Sequence, residues 1–453
     1  MGLFGTSGIR GKVFEKITPE FFLELGKVIA SSLTAGATVA IATDSRVTKD
    51  MLKSALISGL LRSSVNVVDI GIAPTPVLAF LTKHLYDTGI MITASHNPPE
   101  DNGIKLWNTD GMAYTPHDEQ RIEDILIKKE YKMPTWDRIG TLKYDYNAKE
   151  AHAKELLKRI GIKRHFKVVV DPGNGAASGY ASTLFKNAGL EVLPINDEPD
   201  GLFPNRSPEP TAETVKETIS YLRKENADLA VCFDGDADRV VFCDKEGFIG
   251  YNEAISFISK LKVSQETNKK KVITTVETGR LLDYAIEDFG GEVIRGKVGD
   301  GYVAHAVKKE GAPLGVEQVG VYIMPEMGYY PDSIYAALYL LANIENVSEI
   351  REFINEMPTL HFAEETVSVA DEPDNLKYKI VERVRDYLDV FSDYHLNSLD
   401  GLRLDFEDPW ILIRASGTQS LIRVIAEHGD RNEHEKLIDK GIQVVKNAIT
   451  DLK

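Results

Sequence analysis

Along this chain, short apolar runs alternate with amphipathic stretches, and the alternation repeats three times as strand, turn, helix, strand. The first copy joins an apolar run at 38–42 to the turn Thr43-Asp44-Ser45-Arg46, a helical stretch at 51–61 and a second run at 65–70. The second passes from 167–170 through Asp171-Pro172-Gly173-Asn174-Gly175 and a helix near 180–186 to 190–193. The third passes from 271–274 through Glu277-Thr278-Gly279 and a helix near 281–286 to 292–294. Apolar strands alternating with helices predict βαβ units, whose strands are covered by helices. Three copies predict three similar mixed α/β domains with reactive loops at their strand ends. Beyond about residue 360 the pattern changes. Runs at 365–369, 402–406, 410–414 and 421–427, with helices at 376–388 and 433–448, read as a smaller α+β domain with an antiparallel sheet. A polar helix at 117–132 leads out of the first unit and one at 148–158 opens the second. The expected limits are 1–147, 148–250, 251–360 and 361–453.

Composition narrows the partners. At 453 residues, roughly three domains and at least one interdomain cleft are expected. The net charge of −16 disfavours nucleic acid or an anionic membrane, leaving a small anionic substrate that a local group of basic residues would hold. The start Met1-Gly2-Leu3-Phe4-Gly5 lacks the basic and apolar parts of a secretion signal, and no window approaches 18 apolar residues, so a cytoplasmic protein is expected. Gly2 followed by Thr6 matches a myristoylation pattern only superficially. Cys232 and Cys243 read as small buried hydrophobes, which fits a reducing compartment.

Candidate chemistry sits where apolar runs end. The run Gly89-Ile90-Met91-Ile92 stops in Thr93-Ala94-Ser95-His96-Asn97-Pro98, and Asn102-Gly103-Ile104-Lys105 follows a turn later. A hydroxyl beside an imidazole and near an ammonium suits a nucleophile or a phosphate carrier, while Ser95 alone would equally satisfy a turn. Asp234-Gly235-Asp236-Ala237-Asp238-Arg239 lies between the apolar runs 229–233 and 240–242. Three carboxylates at alternate positions repel strongly unless a cation sits among them, and hard oxygen ligands suit Mg²⁺. A calcium EF-hand is excluded, since its sixth position would be Arg239 and its twelfth Lys245. Arg414-Ala415-Ser416-Gly417-Thr418, with Arg423 beyond, offers guanidiniums, hydroxyls and turn amides suited to a phosphate. Phe4-Gly5-Thr6-Ser7-Gly8-Ile9-Arg10-Gly11 is a second glycine-rich loop carrying an arginine. Glu317 reads either as an acceptor for a polyol or as an ordinary loop acid.

Taken together and in this order, the four motifs resemble the α-D-phosphohexomutases, a family of phosphoglucosamine, phosphomannose and phosphoglucose mutases, over essentially the whole chain. The resemblance implies an α/β fold of three similar domains plus a C-terminal α+β domain around a central cleft. It implies one Mg²⁺ per chain, a phosphoserine at Ser95 and activation by a sugar 1,6-bisphosphate. By it, Asp234, Asp236 and Asp238 hold the metal together with Ser95 or its phosphate. Arg10, His96, Lys105 and Arg239 assist transfer, and Asp300 and Glu317 face the sugar. Arg414, Ser416, Gly417, Thr418 and Arg423 grip the phosphate the sugar already carries. The activity implied is interconversion of hexose 6-phosphate and 1-phosphate through a bisphosphate that turns around in the cleft. Glucosamine is the first choice of sugar, with mannose, glucose or a non-catalytic phosphosugar-binding role as alternatives. A small phosphosugar is the partner expected, and the chain acts as a monomer or homodimer.

Three departures from the family pattern bear on the sugar. The loop Val316-Glu317-Gln318-Val319-Gly320, followed by Val321, lacks the usual Ser or Asn; losing such a partner is worth about 1–3 kcal/mol. The phosphate loop continues Gln419-Ser420 where Glu-Pro is usual. Pro331-Asp332-Ser333 resembles a Pro-Asp-Gly variant of archaeal relatives.

Overall fold

The computed structural model describes residues 3–5, 7–369, 376–417 and 419–452; Gly2, Thr6 and Thr418 lie outside the described residues. Four sheets follow one another along the chain. The first takes the order Ile9–Lys12, Asp101–Trp107, Thr88–Ile92, Thr38–Thr43, Asn66–Ile72, Leu142–Tyr144. The second runs Val240–Cys243, Leu229–Phe233, Lys167–Asp171, Glu191–Pro194, and the third Val321–Ile323, Leu314–Glu317, Lys271–Thr275, Glu292–Gly296.

Leaving aside the two outer strands of the first sheet, the three share one topology. A central strand pairs in parallel with the strand after it and with the third, and the third turns back through an antiparallel hairpin. The repeat is thus longer than the strand–helix–strand unit visible in the hydrophobic pattern; its fourth strand shows in the second unit as the apolar run 240–242, but in the first it is too polar and in the third too short to stand out. In the first sheet that strand is Asp101–Trp107, to which the sequence pattern assigns no element; it forms because it pairs with Thr88–Ile92 on one side and Ile9–Lys12 on the other. The central strands are buried on both faces, as helix-covered parallel strands must be.

The hairpin turn falls at the same topological place in each unit, and these turns carry Ser95, Asp234 to Arg239 and Gln318 to Gly320. The fourth sheet, His361–Ser368, Leu421–His428, Trp410–Ala415, Leu402–Asp405, His395–Asn397, is antiparallel throughout. Its hairpin between Trp410–Ala415 and Leu421–His428 carries the Arg414 loop, and the helices Leu376–Val384 and Arg431–Leu452 pack on it.

Helix ends differ from expectation in several places, and the closing helix expected at 433–448 runs from Arg431 to Leu452. The polar helix is Pro116–Lys128, opened by a capping box between Thr115 and Asp118 and closed at Lys129 in the left-handed region, short of residue 132. The helix expected at 376–388 is α-helical only to Val384 and tightens to a 3₁₀ turn over Arg385–Val390. Cys232 and Cys243 are buried free thiols. Among the described residues no helix is long and apolar enough to cross a membrane.

Candidate active site

Ser95 closes the first hairpin turn with φ 52°, a left-handed backbone that a residue bearing a Cβ adopts only when held there. Its amide donates to Thr93 Oγ1 (2.7 Å), and that hydroxyl donates to Asp44 Oδ2 (2.6 Å). Its carbonyl is taken by Arg46 Nη2 (2.9 Å). The same guanidinium, itself fully buried, donates to the carbonyls of Asn97 (2.6 Å) and Asp101 (2.8 Å) and pairs with the buried Asp44 (3.0 Å). The serine turn is therefore moulded around one arginine. Neither Asp44 nor Arg46 stood out in the sequence beyond ending an apolar run.

Gly235 of the second hairpin turn backs directly onto the Ser95 carbonyl, so no larger residue fits there. This contact brings the Ser95 hydroxyl to 2.7 Å from Asp234 Oδ2, to which it donates. Asp234, Asp236 and Asp238 are buried, and each presents an oxygen within 4.8 Å of the others. The cation expected among them is in part the chain's own. Lys105 Nζ lies 2.8 Å from Asp236 Oδ2 and 2.5 Å from Asp238 Oδ2. Burial and the neighbouring carboxylates push Asp234 well above the ordinary carboxylate range. Burial alone would raise Asp236 too, but Lys105 outweighs it and holds that carboxyl below its usual value.

Around this core stand polar atoms buried without a hydrogen-bond partner: Arg10 Nε, His96 Nδ1, Asp236 Oδ1 and Asp238 Oδ1. Buried polar atoms are normally satisfied, so such a cluster marks a place built for something the chain does not supply. Arg239, then burial, hold the His96 imidazole below its ordinary pKa. Thr75 fastens Asp236 from the first unit, donating Oγ1 to Oδ2 at 2.8 Å; it too escaped the sequence reading, having no local motif.

The third hairpin turn contributes a buried acid. Glu317 ends its strand and accepts from Gly299 N at 2.9 Å, and burial followed by the nearby Asp300 pushes its carboxyl up to about 8. It is not an ordinary loop acid. Asp300 opens the helix Asp300–Glu310 and accepts from Ser7 of the N-terminal loop (3.0 Å). Val316 and Val321, which read as drift in a sugar-facing loop, belong to the cores on either side of this sheet. Val319 occupies the turn with Gln318 and Gly320, and Gln318 Oε1 is a buried acceptor without a partner.

Arg414 and Arg423 face each other across the fourth sheet. Arg414 reaches Glu277 of the third unit (2.8 Å) and Asp400 (3.0 Å), and Arg423 pairs with Glu364. Gln419 N donates to Ser416 Oγ at 3.2 Å, Gly417 follows in the turn, and Thr418 is outside the described residues. Contacts join the four units around these turns: Ser95 to Asp234, Ser7 to Asp300 and Arg414 to Glu277. A hydroxyl beside convergent carboxylates, ringed by cations, can carry and pass on a phosphoryl group.

The chain matches four family models: phosphoglucomutase/phosphomannomutase alpha/beta/alpha domain I at residues 1–133, domain II at 149–247, domain III at 250–360, and the C-terminal domain at 367–441. It is similar to a probable phosphoglucosamine mutase of Pyrococcus abyssi, with 40% identity over 450 residues, covering 98% of each chain. It is similar as well to a phosphoglucosamine mutase of Methanococcus vannielii, 38% identical over 455 residues and covering 99% of this chain and 100% of that one. Among solved structures, a phosphoglucomutase/phosphomannomutase family protein of Burkholderia thailandensis superposes with a TM-score of 0.87 at 26% identity, over 98% of this chain and 97% of that one.

Proposed function

The chain belongs to the phosphoglucomutase/phosphomannomutase family, the α-D-phosphohexomutases, and from that premise we propose that it interconverts glucosamine 6-phosphate and glucosamine 1-phosphate through a phosphorylated Ser95. The observation that carries the mechanism is the Ser95 hydroxyl 2.7 Å from a buried carboxylate of a three-aspartate turn. The two unpartnered oxygens in that turn, on Asp236 and Asp238, are the donor set a hard divalent cation takes. Asp234, Asp236 and Asp238 would hold Mg²⁺ together with the Ser95 oxygen or its phosphate, and the ion would offset charge on the transferring oxygens.

The remaining work belongs to the side chains. The bond between Ser95 Oγ and phosphorus breaks as the free sugar hydroxyl bonds to phosphorus; that hydroxyl gives up its proton and the serine oxygen regains one. Arg10, Lys105 and Arg239 neutralise the phosphoryl oxygens as they pass, and His96 adjoins the same oxygens. Asp300, Glu317 and Gln318 accept from the sugar. Arg414, Ser416, Gly417, Thr418 and Arg423 hold the phosphate that is not reacting, so a bisphosphate that turns around presents either end to Ser95. A sugar 1,6-bisphosphate then serves as the primer that phosphorylates Ser95. The choice of glucosamine rests on the full-length relatives of that name.

The test is turnover of glucosamine, mannose and glucose phosphates by purified protein with Mg²⁺ and the matching bisphosphate, beside intact-mass measurement of phosphoryl incorporation. Glucosamine phosphate is expected to give the highest kcat/KM, and Ser95→Ala to lose incorporation and turnover while keeping its melting temperature. Faster conversion of mannose or glucose phosphate reassigns the sugar; near-normal turnover by Ser95→Ala overturns the mechanism.

A further inference from the structure

Three consecutive carbonyls of the aspartate turn are each taken by a donor from a different unit of the fold. Ala176 N donates to Gly235 O (2.9 Å), Thr75 N to Asp236 O (2.9 Å) and the Ser333 hydroxyl to Ala237 O (2.6 Å). With these carbonyls fixed, the carboxylates of Asp234, Asp236 and Asp238 converge on one another. Two of the donors are main-chain amides, which any residue supplies. The third is a side chain, and it meets the turn where Ala237 stands at φ 56°, an uncommon backbone for a residue with a Cβ.

Ser333 is itself seated by a buried chain of hydrogen bonds. It opens the helix Ser333–Ala342, whose N-cap Asp332 accepts from Tyr335 N through Oδ1 (2.9 Å). The other oxygen of Asp332 meets His152 Nε2 (3.0 Å), and His152 Nδ1 meets the Tyr180 hydroxyl (2.8 Å). One imidazole thus bridges the Asp332 carboxylate and the Tyr180 hydroxyl. The imidazole also lies edge-on against Phe80 of the first unit, with ring centres 5.3 Å apart. His152, Asp332 and Ser333 are all fully buried.

We infer that Ser333, seated by Asp332, His152 and Tyr180, is a positioning residue that sets how tightly the turn Asp234 to Arg239 holds its divalent cation. The inference rests on the reading that the three aspartates bind such an ion. It links the junction of the second and third units to the metal turn, 96 positions away from Ser333 in sequence. Partners of this outer kind orient ligands, and removing one typically weakens metal binding by about 10- to 100-fold.

The experiment measures Mn²⁺ binding to the full chain by electron paramagnetic resonance, without substrate, beside melting temperature without metal. Ser333→Ala is expected to bind Mn²⁺ about 10- to 100-fold more weakly than wild type. Ser333→Thr, which keeps the hydroxyl, is expected to bind nearly as wild type does. Should Ser333→Ala not fold, Ser333→Cys keeps the volume and donates only weakly, and the same loss is expected of it. A merely structural role would lower the melting temperature of the Ala variant and leave its Mn²⁺ affinity alone, and that result overturns the inference, as does a Thr variant no better than Ala. Failure of wild type itself to bind Mn²⁺ overturns the metal reading, and the inference with it.

Discussion

Holding a serine in the left-handed region costs about 1 kcal/mol, and one buried guanidinium makes the conformation sustainable at Ser95. Arg46 does this with charge-assisted hydrogen bonds to carbonyls on both sides of the turn, a fork that lysine does not reproduce. A second residue stores free energy in the opposite sense. Glu317 is buried, and burial, then Asp300, pushes its carboxyl up to about 8 from an ordinary value of 4.5. Between those values the folded chain binds a proton the unfolded chain lacks, so stability falls as pH rises from about 4.5 to about 8. Glu317→Gln removes that loss. Its melting temperature relative to wild type is expected to climb across this window and level off above it, as thermal unfolding at a series of pH values would show; a flat difference would mean the carboxyl titrates as it does in water. Reading the sequence found Ser95, Glu317 and the aspartates because each belongs to a local motif. Arg46 and Thr75 escaped, and Ser333 was read only as part of a Pro-Asp-Ser variant, because their partners lie 49 to 161 positions away and nothing in a local spacing records such a contact.

At the scale of elements, the same hairpin position recurs in three units and supplies a different chemical group each time: a hydroxyl, three carboxylates, and a buried acid with its amide neighbour. Strand ends on a rigid sheet fix such groups better than free loops do. The hydrophobic pattern exposed the central strands because both their faces are buried, and hid Asp101–Trp107 because Asp101, Asn102 and Gly103 are poor strand formers. Gly103 is required there, since a side chain would run into the Ile9 carbonyl beside Arg10. Helix packing has a similar requirement in the first unit. Pro19–Ser32 and Lys49–Arg62 cross at Gly26 and Gly59, each of which sits against the other helix's backbone. Gly59→Ala would press a methyl onto the Leu23 carbonyl and drive the helices apart. Overpacking of that kind is expected to destabilise by about 1–3 kcal/mol, read as a lower urea midpoint of the first transition, with an unchanged midpoint counting against the close crossing.

The whole molecule carries a net charge of −16, yet its cleft must admit a phosphorylated sugar. Local cations resolve this, and three of them are engaged by the chain's own carboxylates: Lys105 by Asp236 and Asp238, Arg414 by Glu277 and Asp400, Arg423 by Glu364. Of these, the pair between Arg414 and Glu277 joins the fourth unit to the third. It accompanies a broader junction in which Arg403 donates to the Val276 and Thr278 carbonyls and Arg280 to those of Phe406 and Glu407. A phosphate that takes Arg414 must displace Glu277, whose carboxyl is held in a buried position where burial pushes its pKa up. On the proposal that Arg414 takes the phosphate, Glu277 would compete with substrate for the cation while the rest of the junction keeps the units together. Glu277→Gln keeps the shape and removes the competing charge. It is expected to lower KM for the sugar phosphate by roughly tenfold, the equivalent of one charge-assisted hydrogen bond of about 1.5 kcal/mol. Since the chemistry at Ser95 is untouched, kcat should stay near wild type, and added salt should weaken the variant's advantage because the lost competitor was a charge. Steady-state kinetics at two ionic strengths decides it: an unchanged or raised KM would show that Glu277 helps to hold the phosphate-binding arginine in place and does not contend with the substrate for it.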